Sequence, residues 1–263
     1  MPFPHHRPGP LHRTRYAMGQ LFSRIVAPRH TSFLRGSQRL PSACLICRTW
    51  PSLPLCEDCV NTFAQPRTRC PTCALPLEST GPAHGCPNCE QHPPVLHGCV
   101  AALDYAYPWD RCIADFKFGG RPAMARVFAE LMLHAPGIAP ALERADGVIP
   151  VPLASERLRS RGFNQAHELA RRLCPTRHDP HLLWRSRATP RQALLKTAER
   201  QTNMVGAMQV HPLRAHRVRG RRFVLVDDIL TTGATLNEAA RCLLRAGARE
   251  VVGVVLARTP AVS

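Results

Sequence analysis

Two adjacent carboxylates, Asp227 and Asp228, are followed directly by Ile229-Leu-Thr-Thr-Gly-Ala-Thr, ending at Thr235. The acids close an apolar run, Phe223-Val-Leu-Val. In an open parallel sheet, ligands sit beyond that end of a strand. Two neighbouring acids there are costly unless they meet something that needs them, such as ribose hydroxyls or a hydrated Mg²⁺. The stretch Thr231, Thr232, Gly233, Ala234, Thr235 then opens a helix. Small residues let the backbone come close to a ligand, their N–H groups and hydroxyls surround a phosphate, and the helix N-terminus favours its charge. One segment thus offers acceptors for sugar hydroxyls beside a phosphate cradle, and the two together match a ribose 5-phosphate. An ordinary strand-to-helix turn with Asp and Thr caps accounts for one acid and one Thr. It does not account for two acids, three Thr and a Gly in this order.

A second chemistry resides in the cysteines. Of 12, eight fall in four C-x-x-C pairs: Cys44/Cys47, Cys56/Cys59, Cys70/Cys73 and Cys86/Cys89. Such spacing indicates metal ligation rather than a disulfide framework, and eight thiolates are enough for two tetrahedral Cys₄ zinc sites. A closed Cys₄ shell leaves no position for a substrate, so the zinc is expected to be structural. The spacing leaves open whether one or two ions bind and which pairs share one. Free thiols in this number point to a reducing, cytoplasmic compartment. Cys99, Cys112, Cys174 and Cys242 have no such partners and read as small core or surface residues. His84 and His92 read as loop residues beside the last pair.

These groups need elements to hold them. The sequence around the acids predicts a strand over 223–227, a loop over 228–234, a helix over 235–246 capped by Gly247, and a strand over 251–257. Strand, helix and strand at this spacing form a parallel βαβ crossover. Upstream, a strand is expected at 99–103, an amphipathic helix over 121–134 and a strand at 147–151 that enters a Pro-marked loop. A helix over 163–173 and a short strand near 181–184 follow. Residues 185–204 read as a mobile loop. The fold class is therefore α/β with a parallel-sheet, Rossmann-like core over 98–258. Ahead of it, 44–95 forms a cysteine-rich module with few apolar side chains, which metal must hold together. Residues 1–43 hold seven Arg and no acid and read as a disordered leader, or as a start placed ahead of Met18.

Net charge is +17, and Lys117 and Lys196 are the only lysines. A GC-rich genome that writes Arg for Lys explains part of this; affinity for phosphate-rich ligands, from a phosphosugar to nucleic acid, is the functional reading. Retention of Lys at 117 hints that a compact point charge is wanted there. No run approaches the ~20 apolar residues of a membrane-spanning helix.

The Asp-Asp/Thr-Gly segment resembles the phosphoribosyl-pyrophosphate (PRPP) loop of type I phosphoribosyltransferases. The order of the cysteine pairs, Phe116-Lys-Phe-Gly-Gly-Arg, Val151-Pro-Leu, Arg157, Arg161-Gly-Phe-Asn-Gln and the terminal loop is similar to the ComF family, phosphoribosyltransferase-like proteins linked to DNA uptake in natural transformation. The resemblance spans about residues 44–258 and implies a zinc-ribbon-like module before a type I phosphoribosyltransferase domain. It implies that Asp227 and Asp228 hold the ribose hydroxyls, with Asp228 the better candidate to stabilise charge on the sugar. It also implies that residues 231–235 bind the 5-phosphate, that the loop from Pro150 to Ser155, with Arg157 and Arg161, meets the Mg²⁺-bound pyrophosphate, and that Lys117 contacts PRPP. Gln192, Lys196 and Arg200 become candidates for a lid, and Asn164 and Gln165 for a base contact or for holding the loop. Tyr105, Tyr107 and Trp109 are either a stacking surface or domain-interface residues. The reaction implied is pentosyl transfer through an oxocarbenium-like transition state. The alternative is a non-catalytic protein that binds single-stranded DNA, or regulates, on the same fold. Acceptor and oligomeric state stay open.

Overall fold

The computed structural model describes residues 42–77, 85–185 and 206–260. The leader up to residue 41, His84, and the lid candidates Gln192, Lys196 and Arg200 lie outside the described residues. From Ser42 onward the chain forms one compact unit. Its elements run α1 (Glu57–Phe63), α2 (Pro87–Gln91), β1 (Gly98–Asp104), α3 (Trp109–Phe118), α4 (Met124–His134), α5 (Ile138–Arg144), β2 (Gly147–Pro150), α6 (Ser155–Arg161) and α7 (Gln165–Leu173). Then come β3 (Leu183–Arg185), β4 (Met208–Val210), a 3₁₀ turn (Pro212–Arg217), β5 (Arg222–Leu230), α8 (Ala234–Arg245) and β6 (Glu250–Arg258).

Four strands form a parallel sheet in the order β1-β6-β5-β2, while β3 and β4 pair apart as an antiparallel ribbon. The central strands read as continuous apolar runs because both of their faces are covered. On one face Val224, Val226, Val254 and Leu256 pack with Ile113, Phe116, Phe128 and Leu169 of α3, α4 and α7. On the other, Leu225 and Val255 pack with Leu236, Ala239 and Leu243 of α8 and with Leu183 and Met208 of the ribbon. Gly147 has to be glycine where β2 passes β5, since a Cβ there would lie 2.8 Å from the Phe223 ring.

The structure moves one boundary that matters. β5 does not end at Asp227 but continues to Leu230, because Ile229 and Leu230 remain paired with Ala257 and Arg258 of β6. Asp228 is therefore a strand residue, and the loop shrinks to 231–233. Local sequence does not show how far the partner strand extends. The helix expected from 121 begins at Met124, after a turn at Pro122. Helix α3 was not foreseen, although Trp109, Cys112, Ile113 and Phe116 repeat at helical spacing and are all buried.

The cysteine segment leans on the α/β core as well as on its thiols. Leu55 belongs to the α3/α4 core, with Leu45, Ile46, Val60 and Phe63 packed against it. Trp109 is 2% exposed, and its indole N–H donates to the Phe63 carbonyl at 2.7 Å. Arg67 and Arg69 reach Asp104, at the end of β1, at 2.7 and 2.8 Å. Trp109→Phe keeps most of the apolar bulk and deletes that one hydrogen bond. Its thermal midpoint, followed by circular dichroism, is expected to drop by about 2–4 °C, the effect of losing roughly 1 kcal/mol. An unchanged midpoint would mean that the indole N–H does not help to hold the segment.

Candidate functional site

At the end of β5 the two acids meet a cation from another part of the chain. Asp228 is 8% exposed, and its Oδ1 lies 3.0 Å from Lys117 Nζ, delivered by the last turn of α3. The Asp228 backbone N–H donates to Asp227 Oδ1 at 2.8 Å. Burial, and secondly the Asp228 charge, push the Asp227 carboxyl up to about 7, against the opposing pull of the Asp228 N–H, Lys117 and Arg161. The acid pair is thus held under electrostatic tension that one lysine only partly relieves.

Gly233 follows in the left-handed region, φ +80°, as the residue before α8. A Cβ there would also sit 3.2 Å from Asn237 Nδ2. The turn leads into the first turn of α8, whose residues Ala234, Thr235 and Leu236 border the same space as the acids. The opposite wall comes from the loop after β2 and from α6 and α7. Asn164 fixes it: its Oδ1 caps α7 by accepting the N–H groups of Ala166 and His167, and its Nδ2 donates to the Val151 carbonyl at 3.0 Å. Between the walls lies a cavity of about 170 Å³ lined by Lys117, Arg157, Arg161, Asp227, Asp228 and Thr231, Thr232, Gly233, Ala234 and Thr235. The acid pair, residues 231–235, Lys117, Arg157 and Arg161 all line this cavity; of the loop from Pro150 to Ser155, Val151, Pro152 and Leu153 line it, while Pro150, Ala154 and Ser155 line a neighbouring one.

Arg185 and Gln165 are among the other residues that line it. Arg185 arrives from β3. Gln165 is 1% exposed; its Oε1 accepts from Arg161 Nη1 at 3.0 Å, and its buried Nε2 has no hydrogen-bond partner among the described residues. A buried donor left unpaired costs about 1–3 kcal/mol, which makes Gln165 a candidate to meet a ligand in this cavity. Asn164 instead holds the loop. The aromatics considered as a stacking surface are elsewhere. Trp109 is buried at the Phe63 contact, and Tyr107 packs edge-on to Phe63 with Arg111 over its ring. The aromatic beside the cavity is Phe118, 71% exposed, with the Arg161 guanidinium 5.0 Å from its centroid.

The cysteines gather into two clusters, Cys44/Cys47/Cys56/Cys59 and Cys70/Cys73/Cys86/Cys89, each with its sulfurs within 4.8 Å of one another. Each joins a loop knuckle to a helix N-terminus: Cys56 and Cys86 immediately precede α1 and α2. Both loop knuckles end on a left-handed residue, Arg48 (φ +64°) and Ala74 (φ +58°). The Cys47–Cys56 and Cys73–Cys86 Sγ separations are both 3.6 Å. A tetrahedron with ~2.3 Å metal–sulfur bonds has edges of about 3.8 Å, so the thiols fit a metal of that kind.

The phosphoribosyl transferase domain model matches residues 158–262. DNA utilization protein YhgH of Escherichia coli O157:H7 is 35% identical over 230 residues, 84% of this chain and 98% of that protein. Competence protein F of Haemophilus influenzae is 32% identical over 182 residues, 67% of this chain and 79% of its own. The chain belongs to the ComF family. Competence protein ComFC of Bacillus subtilis, another similar protein, is 38% identical over 100 residues, 38% of this chain and 39% of its own. In this ComF chain the domain match starts inside α6. Lys117, Arg157 and both cysteine clusters therefore lie ahead of it, although Lys117 and Arg157 line the same cavity as the matched loop.

A carboxyl that is harder to ionise folded than unfolded, where its pKa is near 4, weakens folding once ionised. The penalty builds between about pH 4 and pH 7 and is complete above pH 7. Asp227→Asn in Mg²⁺-free buffer is accordingly expected to raise the thermal midpoint by about 5 °C at pH 8. The gap should shrink toward pH 5. A gap independent of pH, or a destabilised variant, would refute the electrostatic reading of this pair.

Proposed function

We propose that this ComF protein binds PRPP with Mg²⁺ and transfers its phosphoribosyl group to an acceptor, in a role connected with DNA uptake. The single observation that carries the reading is the convergence of an acid pair, a glycine turn at a helix N-terminus and four cations on one small cavity. Asp227 and Asp228 accept the ribose 2- and 3-hydroxyls. The backbone from Thr231 to Thr235 takes the 5-phosphate. Arg157 and Arg161, with the N–H groups of the loop after β2, face the pyrophosphate, and Gln165 Nε2 gains the acceptor it lacks. As the bond between the anomeric carbon and pyrophosphate opens, positive charge grows on the sugar next to the two carboxylates. Positioning and electrostatics then supply the catalysis, without a protein nucleophile. Mg²⁺ would add neutralisation of the departing pyrophosphate. Both cysteine clusters are proposed to hold structural Zn²⁺. The names of the relatives, DNA utilization protein and competence protein, support the link to DNA uptake. The free thiols suit a reducing cytoplasm, and no helix among the described residues is long and apolar enough to cross a membrane.

A second reading has its own observation. Beside the ribbon lies a groove of about 590 Å³ lined by His181, Trp184, Leu213, Arg214 and Arg217 among others. Trp184 is 44% exposed, and the two arginines share one carboxylate, Asp179. A half-exposed indole on a basic surface suits single-stranded DNA. On this reading Trp184→Ala weakens oligonucleotide binding by about 10-fold, and affinity falls steeply with salt. Salt-insensitive binding would exclude it.

Isothermal titration of PRPP into the metal-replete protein decides the first reading. Saturable, Mg²⁺-dependent binding is expected, weakened by about 100-fold or more in the Asp227→Asn/Asp228→Asn variant, as befits the loss of two charge-assisted contacts. A folded wild type that binds no PRPP would overturn the proposal.

A further inference from the structure

The back of the phosphate loop touches the second cysteine cluster, and one side chain makes the connection. Arg258 ends β6, level with Asp104 of β1 on one side and Leu230 of β5 on the other. Its Nε donates to the Cys73 carbonyl at 3.1 Å, in the loop knuckle of that cluster. Its Nη1 reaches the carbonyls of Leu230 at 3.1 Å and Thr231 at 2.8 Å, at the entry to the phosphate loop. The same nitrogen meets the carbonyl and hydroxyl of Thr259. Among the described residues this guanidinium forms no ion pair. An arginine spent on backbone carbonyls fixes chain positions.

Two other contacts run the same way. The Asn237 side-chain oxygen, in the first turn of α8, accepts the Val95 N–H at 3.0 Å, in the segment that leaves the cluster. Asn237 also donates its own N–H to the Gly233 carbonyl. Ala74, fully buried and next to Cys73, belongs to the same apolar group as Ala234 and Leu236. The first cluster has different neighbours: Phe63, on the helix that carries Cys59, meets Trp109 on α3, on the opposite face of the sheet.

We propose that Arg258 is a positioning residue that clamps the Cys70–Cys73 knuckle to the phosphate loop, so that the second cysteine cluster sets the grip on the ribose 5-phosphate half of the ligand. This rests on the phosphoribosyl reading above. The pyrophosphate half lies against the loop after β2 and α6, which Arg258 does not touch. The clamp therefore acts on one half of the ligand only.

The half-ligands separate this role from general support of the fold. Ribose 5-phosphate and pyrophosphate, each with Mg²⁺, are titrated calorimetrically into wild type, Arg258→Met and Arg258→Lys, with zinc per chain measured alongside. Arg258→Met is expected to weaken ribose 5-phosphate about 10-fold, the effect of losing charged hydrogen bonds to the loop. Pyrophosphate should stay within about twofold and zinc content unchanged, while Arg258→Lys, which keeps one charged donor, recovers part of the loss. Should the Met variant not fold, the Lys variant carries the same comparison. Equal weakening of both half-ligands, or of neither, would overturn the clamp while leaving the phosphoribosyl site standing. A wild type that binds neither half-ligand would overturn the phosphoribosyl reading, and the clamp with it.

Discussion

The burial of two adjacent carboxylates, Asp227 and Asp228, at the end of β5 is the constraint on which the cavity depends. Adjacent carboxylates at a half-buried strand end resist ionising together: burial first, and the Asp228 charge second, push Asp227 up to about 7. Lys117 balances one charge, but only because α3 packs Ile113 and Phe116 into the core and so presents its last turn to the strand end. Arg157 and Arg161 stand across the cavity, and Asn164 pins the loop between them and the acids. A site that stays strained when empty favours a partner bringing hydroxyl donors and a metal, which is the stability–function compromise common at binding sites.

The rest of the fold keeps this arrangement in register. Parallel pairing of β5 with β6 carries the acids past the point where local sequence would end the strand. The glycine turn then swings the N-terminus of α8 over them. The cysteine segment lacks enough apolar side chains to stand by itself. It borrows core contacts at Leu55 and Phe63, and charge contacts at Asp104. Its two clusters are not equivalent in position, one against α3 and the other behind the turn after β5.

Much of the site is legible in the residues themselves, because its chemistry is local. The acid pair adjoins the Thr/Gly stretch, each C-x-x-C pair is a local spacing in itself, and the residue types leave few other uses. The βαβ unit around them is equally plain, since its apolar runs and Gly247 punctuate it clearly. What escapes is long-range. Whether β5 ends at Asp227 or Leu230 depends on β6. The pairing of cysteine knuckles depends on how 44–89 folds back. Trp109 reads as a stacking residue or an interface residue until its partner, Phe63, is known. Helix α3 had a readable repeat that the neighbouring Pro108 and Gly119 obscured. Gln165 is singled out in the sequence only through the Arg161-Gly-Phe-Asn-Gln string, and its buried donor without a partner shows only in the fold; Arg258 carries no sequence signal and is marked by carbonyls contributed from 28 and 185 residues away.

The central claim is that the acid pair and the turn after it form the ligand site. Amide hydrogen exchange across the chain, with and without saturating PRPP and Mg²⁺, tests it most directly. Slowed exchange on binding is expected to concentrate at residues 227–236 and at the loop after Pro150. Protection that leaves those segments unchanged and appears instead around His181 to Arg217 would contradict it and move the binding site to the ribbon groove.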